Sequence, residues 1–164
     1  MENKYSNILV AVDGSKQAEW AFRNAVAISK RNEGSKLFIA SVIDSTIATS
    51  GLSDPYIFNS FYKKTKELVE SYVRVAKESG LSNVEGIVEQ GVPKVVLSED
   101  IVEEKNIDLI VCGSSGLTGF KRMIMGSVSE GIVRYAKSDV IIIKQQSIPK
   151  DFTPEVALEF QKED

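Results

Sequence analysis

Ile8-Leu9-Val10-Ala11-Val12-Asp13-Gly14-Ser15 sets the pattern for the whole chain. An unbroken apolar run, Ile8 to Val12, is followed at once by the turn residues Asp13-Gly14. A short run of this kind predicts a strand buried on both faces, the habit of parallel sheets. Ser15 predicts the N-cap of a helix, whose apolar positions Ala18, Ala21, Phe22, Ala25 and Ile28 repeat at helical spacing. Lys30 and Arg31 suit the negative helix end, and Gly34 stops it.

The same strand-then-helix unit recurs outward from there. Leu37 to Ile43 reads as a second buried strand, followed by a small, polar loop from Asp44 to Asp54. Ile47, Leu52 and Tyr56 could cover a ligand there; a plain solvent loop is the alternative. A long helix follows from about Tyr56 to Ser79, with Phe61, Leu68, Tyr72 and Val75 or Ala76 expected inward, and Gly80 ends it. Val84 to Val88 is a weaker strand, and Glu85 within it places it at or near a sheet edge. Gly91-Val92-Pro93 starts a third helix, which Val96, Leu97 and Ile101 continue to about Lys105. Ile107 to Cys112 is a fourth buried strand. A glycine-rich loop leads to a helix from about Ser127 to Lys137, with Val128, Ile132, Val133 and Ala136 inward, and Val140 to Ile143 is the fifth strand.

This alternation predicts a single-domain α/β fold: a doubly wound, five-stranded parallel sheet with helices on both faces and right-handed crossovers. Ligands in such folds bind beyond the carboxyl ends of the strands, where the strand order switches. Asp13 and Gly113 stand at two of those ends. The domain spans residues 1–144. Residues 145–164, with Pro149, Pro154 and several charges, read as a polar, loosely held tail, or else as an arm docking on a partner through Phe152, Leu158 or Phe160.

Composition removes several classes of function. The chain has 164 residues, 43% hydrophobic and 26% charged, enough for a substantial core. Its net charge is −3 with no basic run, against the clustered positive patch that a duplex nucleic-acid binder needs. Histidine is absent, which excludes Ser-His-Asp and Cys-His catalytic sets and histidine-based zinc sites. The single cysteine, Cys112, lies in an apolar segment and reads as a small buried residue. No segment resembles a signal peptide or a membrane span, so a cytoplasmic location is expected.

The loop from Gly113 to Ser127 carries the functional signal. It follows a strand and precedes a helix, where glycines admit an anion to backbone amides and the helix dipole favours phosphate. Ser127 and Ser129 add hydroxyls, and Lys121 and Arg122 add charge. The loop is neither a Walker A sequence nor Gly-x-Gly-x-x-Gly. By mechanism alone, a phosphate cradle and a flexible glycine-containing connection both remain open.

The spacing Gly113-x2-Gly116-x9-Gly126-Ser127 resembles the ATP-binding signature of the universal stress protein family. Ile8 to Ser15, Ser41-Val42-Ile43-Asp44 and Gly91-x-Pro93 are similar to that family as well. The resemblance covers about Asn7 to Lys144. It implies a sheet of order 3-2-1-4-5 and a nucleotide site for ATP, accompanied by Mg²⁺. It also implies a homodimer joined through the strand Val140 to Ile143. By position, Asp13 resembles the residue that meets the adenosine, and Val42 the residue whose backbone meets the adenine, with Ala11 on the adenine side. Cys112 and Gly113 match the strand end along the nucleotide. Gly116, Gly126, Ser127, Val128 and Ser129 match the ribose- and phosphate-binding segment. Ser115 stands where histidine is frequent in the family, and Asp139 where proline is common.

No general base is evident, so no catalytic residue is assigned and no metal ligand is chosen. The expected function is nucleotide-dependent regulation in stress response, with at most slow ATP hydrolysis. The alternative is an ATPase or nucleotide-dependent transferase. A phosphoacceptor receiver domain is set aside, because it needs an acidic pair after strand one and an aspartate after strand three.

Overall fold

The computed structural model describes residues 4–46, 54–115 and 125–157. Five strands form one parallel sheet in the order β3-β2-β1-β4-β5. They are β1 (Asn7–Ala11), β2 (Lys36–Asp44), β3 (Val84–Gly91), β4 (Leu109–Gly113) and β5 (Asp139–Ile143). Between them run α1 (Lys16–Arg31), α2 (Pro55–Glu78), α3 (residues 93–105, with a π-type stretch at Val96–Asp100) and α4 (Ser127–Tyr135). This is the predicted alternation.

The apolar runs form the central strands because both of their faces are covered. Ile8, Val10, Leu37, Ile39, Leu109 and Val111 pack under α1 and α2, with Phe22, Tyr72 and Val75 from the helices. Leu9, Phe38, Ala40, Ile110 and Cys112 pack under α3 and α4, with Leu97, Ile101 and Ile132. β1 pairs with β2 on one side and β4 on the other, so the switch in strand order lies between β1 and β4. Glu85, on the edge strand β3, pairs with Lys36 at 2.6 Å and Lys105 at 3.3 Å. The hydrogen bond from Lys36 holds its carboxyl below the usual carboxylate range.

Local signals explain the joints. Ser15 caps α1 by accepting from the Ala18 amide at 3.1 Å. Gly14, with φ +82°, makes the turn before it, a backbone that side-chain-bearing residues rarely adopt. Asp54 caps α2 through the Tyr56 amide at 2.8 Å.

Several expectations need correction. β4 begins at Leu109 rather than Ile107, and α4 ends at Tyr135, where Ala136 turns to extended backbone. Phe61 and Val133 are not inward: they are 53% and 47% exposed. Along α2 the buried positions begin at Leu68, which sits against Gly14 beyond the end of β1. Val133 lies one position past the buried Ile132, about 100° further round the helix.

The described part of the tail is held against the domain rather than loose. Phe152 meets Trp20 of α1 edge-to-face, with ring centroids 4.9 Å apart, and Lys16 lies over the same ring. The Glu19 carboxylate, fully buried, accepts from the amides of Glu155, Val156 and Ala157 at 2.7, 3.1 and 3.0 Å. Arg23 spans Glu155 at 2.9 Å and Glu19 at 3.7 Å. Val156 is fully buried in the cluster that α1 and α2 share. Residues 145–157 thus form a strap that lies across α1 of their own chain. Leu158 and Phe160 fall outside the described residues.

Tyr72 carries a buried hydroxyl with no hydrogen-bond partner among the described residues. Burial is the main cause that pushes its phenol well above the ordinary tyrosine value, with Glu19 and Asp13 adding to it. Removing an unpaired polar atom relieves its desolvation cost. Tyr72→Phe is therefore expected to leave stability unchanged or raise it by up to about 1 kcal/mol. Urea unfolding checks this, and a loss above about 1 kcal/mol would show an unrecognised partner for the hydroxyl.

Candidate functional site

A cavity of about 340 Å³ opens at the carboxyl ends of β1 and β4, the position that the strand order favours. This volume falls in the usual range for small-molecule sites. Ala11 and Val42 line it from β1 and β2, and Asp13 from the turn after β1. Cys112 and Gly113 line it from the end of β4. Gly126, Ser127, Val128 and Ser129 line it from the start of α4. Gly116, Lys121 and Arg122 lie outside the described residues, as do Ile47 and Leu52. Tyr56 is 87% exposed and is not among the lining residues, so it does not cover the cavity.

The polar groups differ in how much hydrogen-bonding capacity they keep. Asp13 Oδ1 accepts from the Ser15 amide at 3.0 Å, which orients the carboxylate at the rim. Ser129 is buried, and its hydroxyl donates to the Gly113 carbonyl at 2.9 Å. That bond ties the first turn of α4 to the end of β4, so this hydroxyl hydrogen is not free for a ligand. The Gly126 amide donates to the Ser114 carbonyl at 2.8 Å, which closes the loop's base. α4 begins with no side-chain cap, unlike α1 and α2. An α-helix leaves its first amides without intrahelical partners, here those of Ser127, Val128 and Ser129. The Ser115 hydroxyl, which also lines the cavity, is buried with no partner among the described residues.

Gly126 is not glycine for conformational reasons. Its φ of −63° and ψ of 158° suit any residue. A Cβ there would meet its nearest neighbour among the described residues at 3.5 Å, an ordinary contact. Its missing side chain leaves space beside the α4 amides. Gly113 is tighter, since a Cβ there would lie 3.4 Å from the carbonyl oxygens of Gln17 and Ser115.

Sequence reasoning missed the wall opposite. Pro93 and Leu97, from the first turns of α3, close the cavity, and Ala18 of α1 and Asp44 of β2 border it. Pro93 stood out only as a helix starter. Asp44 accepts from the Thr46 amide at 2.8 Å, which turns the chain after β2.

Burial drives the Cys112 thiol up to about 12, so at neutral pH it is a protonated, unreactive thiol. The folded chain is expected to resist iodoacetamide at pH 7.5 over hours and to react once denatured. Rapid labelling of the native chain, read by mass spectrometry, would contradict this placement.

The chain is thus a doubly wound α/β domain with a glycine-bounded cavity at its switch point. The family model "Universal stress protein family" matches residues 4–144, and the chain belongs to that family. It is 45% identical over 161 residues to a putative universal stress protein of Staphylococcus haemolyticus, covering 97% of each chain. It superposes on the universal stress protein UspA of Lactobacillus plantarum with a TM-score of 0.75 at 27% identity, covering 87% of this chain and 99% of the other. It also matches a universal stress protein solved in complex with cAMP, with a TM-score of 0.62 at 25% identity and coverage of 87% and 98%.

Proposed function

We propose that this protein holds ATP, with Mg²⁺, in the cavity between β1 and β4, and acts as a cytoplasmic, nucleotide-dependent regulator in stress response with at most slow hydrolysis. The observation that carries this reading is the start of α4, where Gly126 makes no side-chain cap and Ser127, Val128 and Ser129, whose amides have no intrahelical partner, line the cavity. The buried Ser115 hydroxyl, without a partner among the described residues, is a further group that a polar ligand would satisfy. The apolar walls, Ala11, Val42 and Leu97, suit a base, and the rim carboxylate of Asp13 suits a ribose hydroxyl. A relative's complex with cAMP supports an adenine nucleotide in this fold. Mg²⁺ would arrive on the phosphates and keep most of its waters.

Calorimetric titration with MgATP tests the reading. Saturable binding near one site per chain is expected, and no heat at millimolar MgATP would overturn it. Turnover, measured by phosphate release, is expected to be slow; many equivalents per minute would favour an enzyme.

We further propose a homodimer through β5. On its inner side β5 pairs with β4, and a bare outer edge is an aggregation hazard that pairing across a two-fold removes. Asp139 at its start accepts from the Tyr5 hydroxyl at 2.9 Å, which occupies this carboxylate within its own chain. Light scattering should give the dimer mass. A monomer mass that does not change with concentration would rule the dimer out.

A further inference from the structure

The strap and the cavity share one turn of helix. On one side of the start of α1, Ala18 lines the cavity, and the Gln17 carbonyl lies where a Cβ on Gly113 would meet it at 3.4 Å. The Ser15 hydroxyl, which accepts from the Ala18 amide at 3.1 Å, fixes that turn just after the cavity residue Asp13. On the other side the same turn holds the strap. Lys16 lies 5.9 Å from the Phe152 ring centre, Trp20 meets that ring, and Glu19 takes three strap amides.

We propose that the strap regulates the nucleotide site: docking of residues 152–157 on α1 holds the first turn of that helix in the position that completes the cavity wall, so that strap docking and nucleotide binding reinforce each other. Glu19 is the positioning residue in this scheme. The proposal rests on the nucleotide reading above.

The physical link is the buried carboxylate. Glu19 has no exposed surface, and its partners among the described residues are three strap amides and Arg23 at 3.7 Å. Once the strap leaves, the carboxylate loses those three donors and the turn loses the Phe152 ring packed on Trp20. The turn, no longer tethered on that side, is then free to shift. Ala18 is the adjacent residue in that turn, and Gln17 abuts Gly113, so both shift relative to the cavity. Linkage makes the effect reciprocal: whatever factor the docked strap adds to nucleotide affinity, bound nucleotide adds to strap docking.

The amides of Glu155, Val156 and Ala157 report the strap directly, because Glu19 is their acceptor. Hydrogen exchange is followed on the full-length chain with and without saturating MgATP, at rates faster than those of the β1 amides, so that local opening is read. Nucleotide is expected to slow these amides about tenfold. Glu19→Gln and Phe152→Ala are expected to bind MgATP about tenfold more weakly while unfolding cooperatively. Phe152→Ala removes a strap contact without touching the buried charge, and serves if Glu19→Gln does not fold. A wild-type chain that binds MgATP with unchanged exchange at these amides would overturn the coupling and leave the nucleotide reading intact. So would a folded Phe152→Ala chain with fast strap exchange and full affinity. A wild-type chain that binds no nucleotide would overturn both.

Discussion

A Gly126→Val chain is expected to fold as the wild type does and to bind MgATP at least about a hundredfold more weakly, a loss of about 2.7 kcal/mol. The two halves of this expectation come from different observations. Valine tolerates φ −63° and ψ 158°, and among the described residues the nearest atom to a new Cβ is the Ser114 carbonyl oxygen at 3.5 Å. The fold therefore has little to lose. The γ-methyl groups would occupy space next to the Ser127, Val128 and Ser129 amides, which border the cavity. A phosphate that needs those amides cannot approach. Circular dichroism and calorimetry together check the result. Full affinity in the folded variant would mean that the phosphates lie elsewhere.

Glu19→Ala is expected to cost about 3 kcal/mol, in the range found when one partner of a buried ionic network is removed. Three amides lose their acceptor, and the Arg23 guanidinium loses one of its two carboxylates. Val156, fully buried beneath this arrangement, loosens with it. For a domain of this size such a loss lowers Tm by roughly 10 °C. Thermal and urea unfolding provide the measurement. A cost below about 1 kcal/mol would show that the strap contributes little to the fold.

The sheet was legible because its strands are buried on both faces. Ile8 to Val12 and Leu109 to Cys112 have no polar interruption, and the amphipathic helices between them leave one topology class open. The pattern of α2 told which face points inward but not how far the sheet extends. Phe61 and Leu68 share that face, and only Leu68 has sheet and helix beneath it. The strap was not legible for a related reason. Glu19 looks like any acidic residue in the first turn of a helix, where the dipole alone would favour it. Its true role depends on amides far along the chain, at Glu155 to Ala157. The apolar signal of the strap is only Phe152 and the pair Val156-Ala157, too sparse for periodicity.

The site divided along the same line. Glycine spacing located Gly113 and Gly126, because a close approach to backbone is written in the absence of a side chain. Asp13 followed from its place at a strand end, and Val42 from the resemblance to the universal stress protein family. The contributions of Pro93 and Leu97 depend on how α3 crosses the sheet, which no local motif encodes. The spent hydrogen of Ser129 and the unpaired hydroxyl of Ser115 likewise appear only once the end of β4 and the start of α4 are side by side.

The most direct test of nucleotide occupancy is to purify the chain, denature it and identify what is released by mass spectrometry. ATP at close to one equivalent per chain is the expected result. No released nucleotide, together with no binding at millimolar MgATP, would contradict the account.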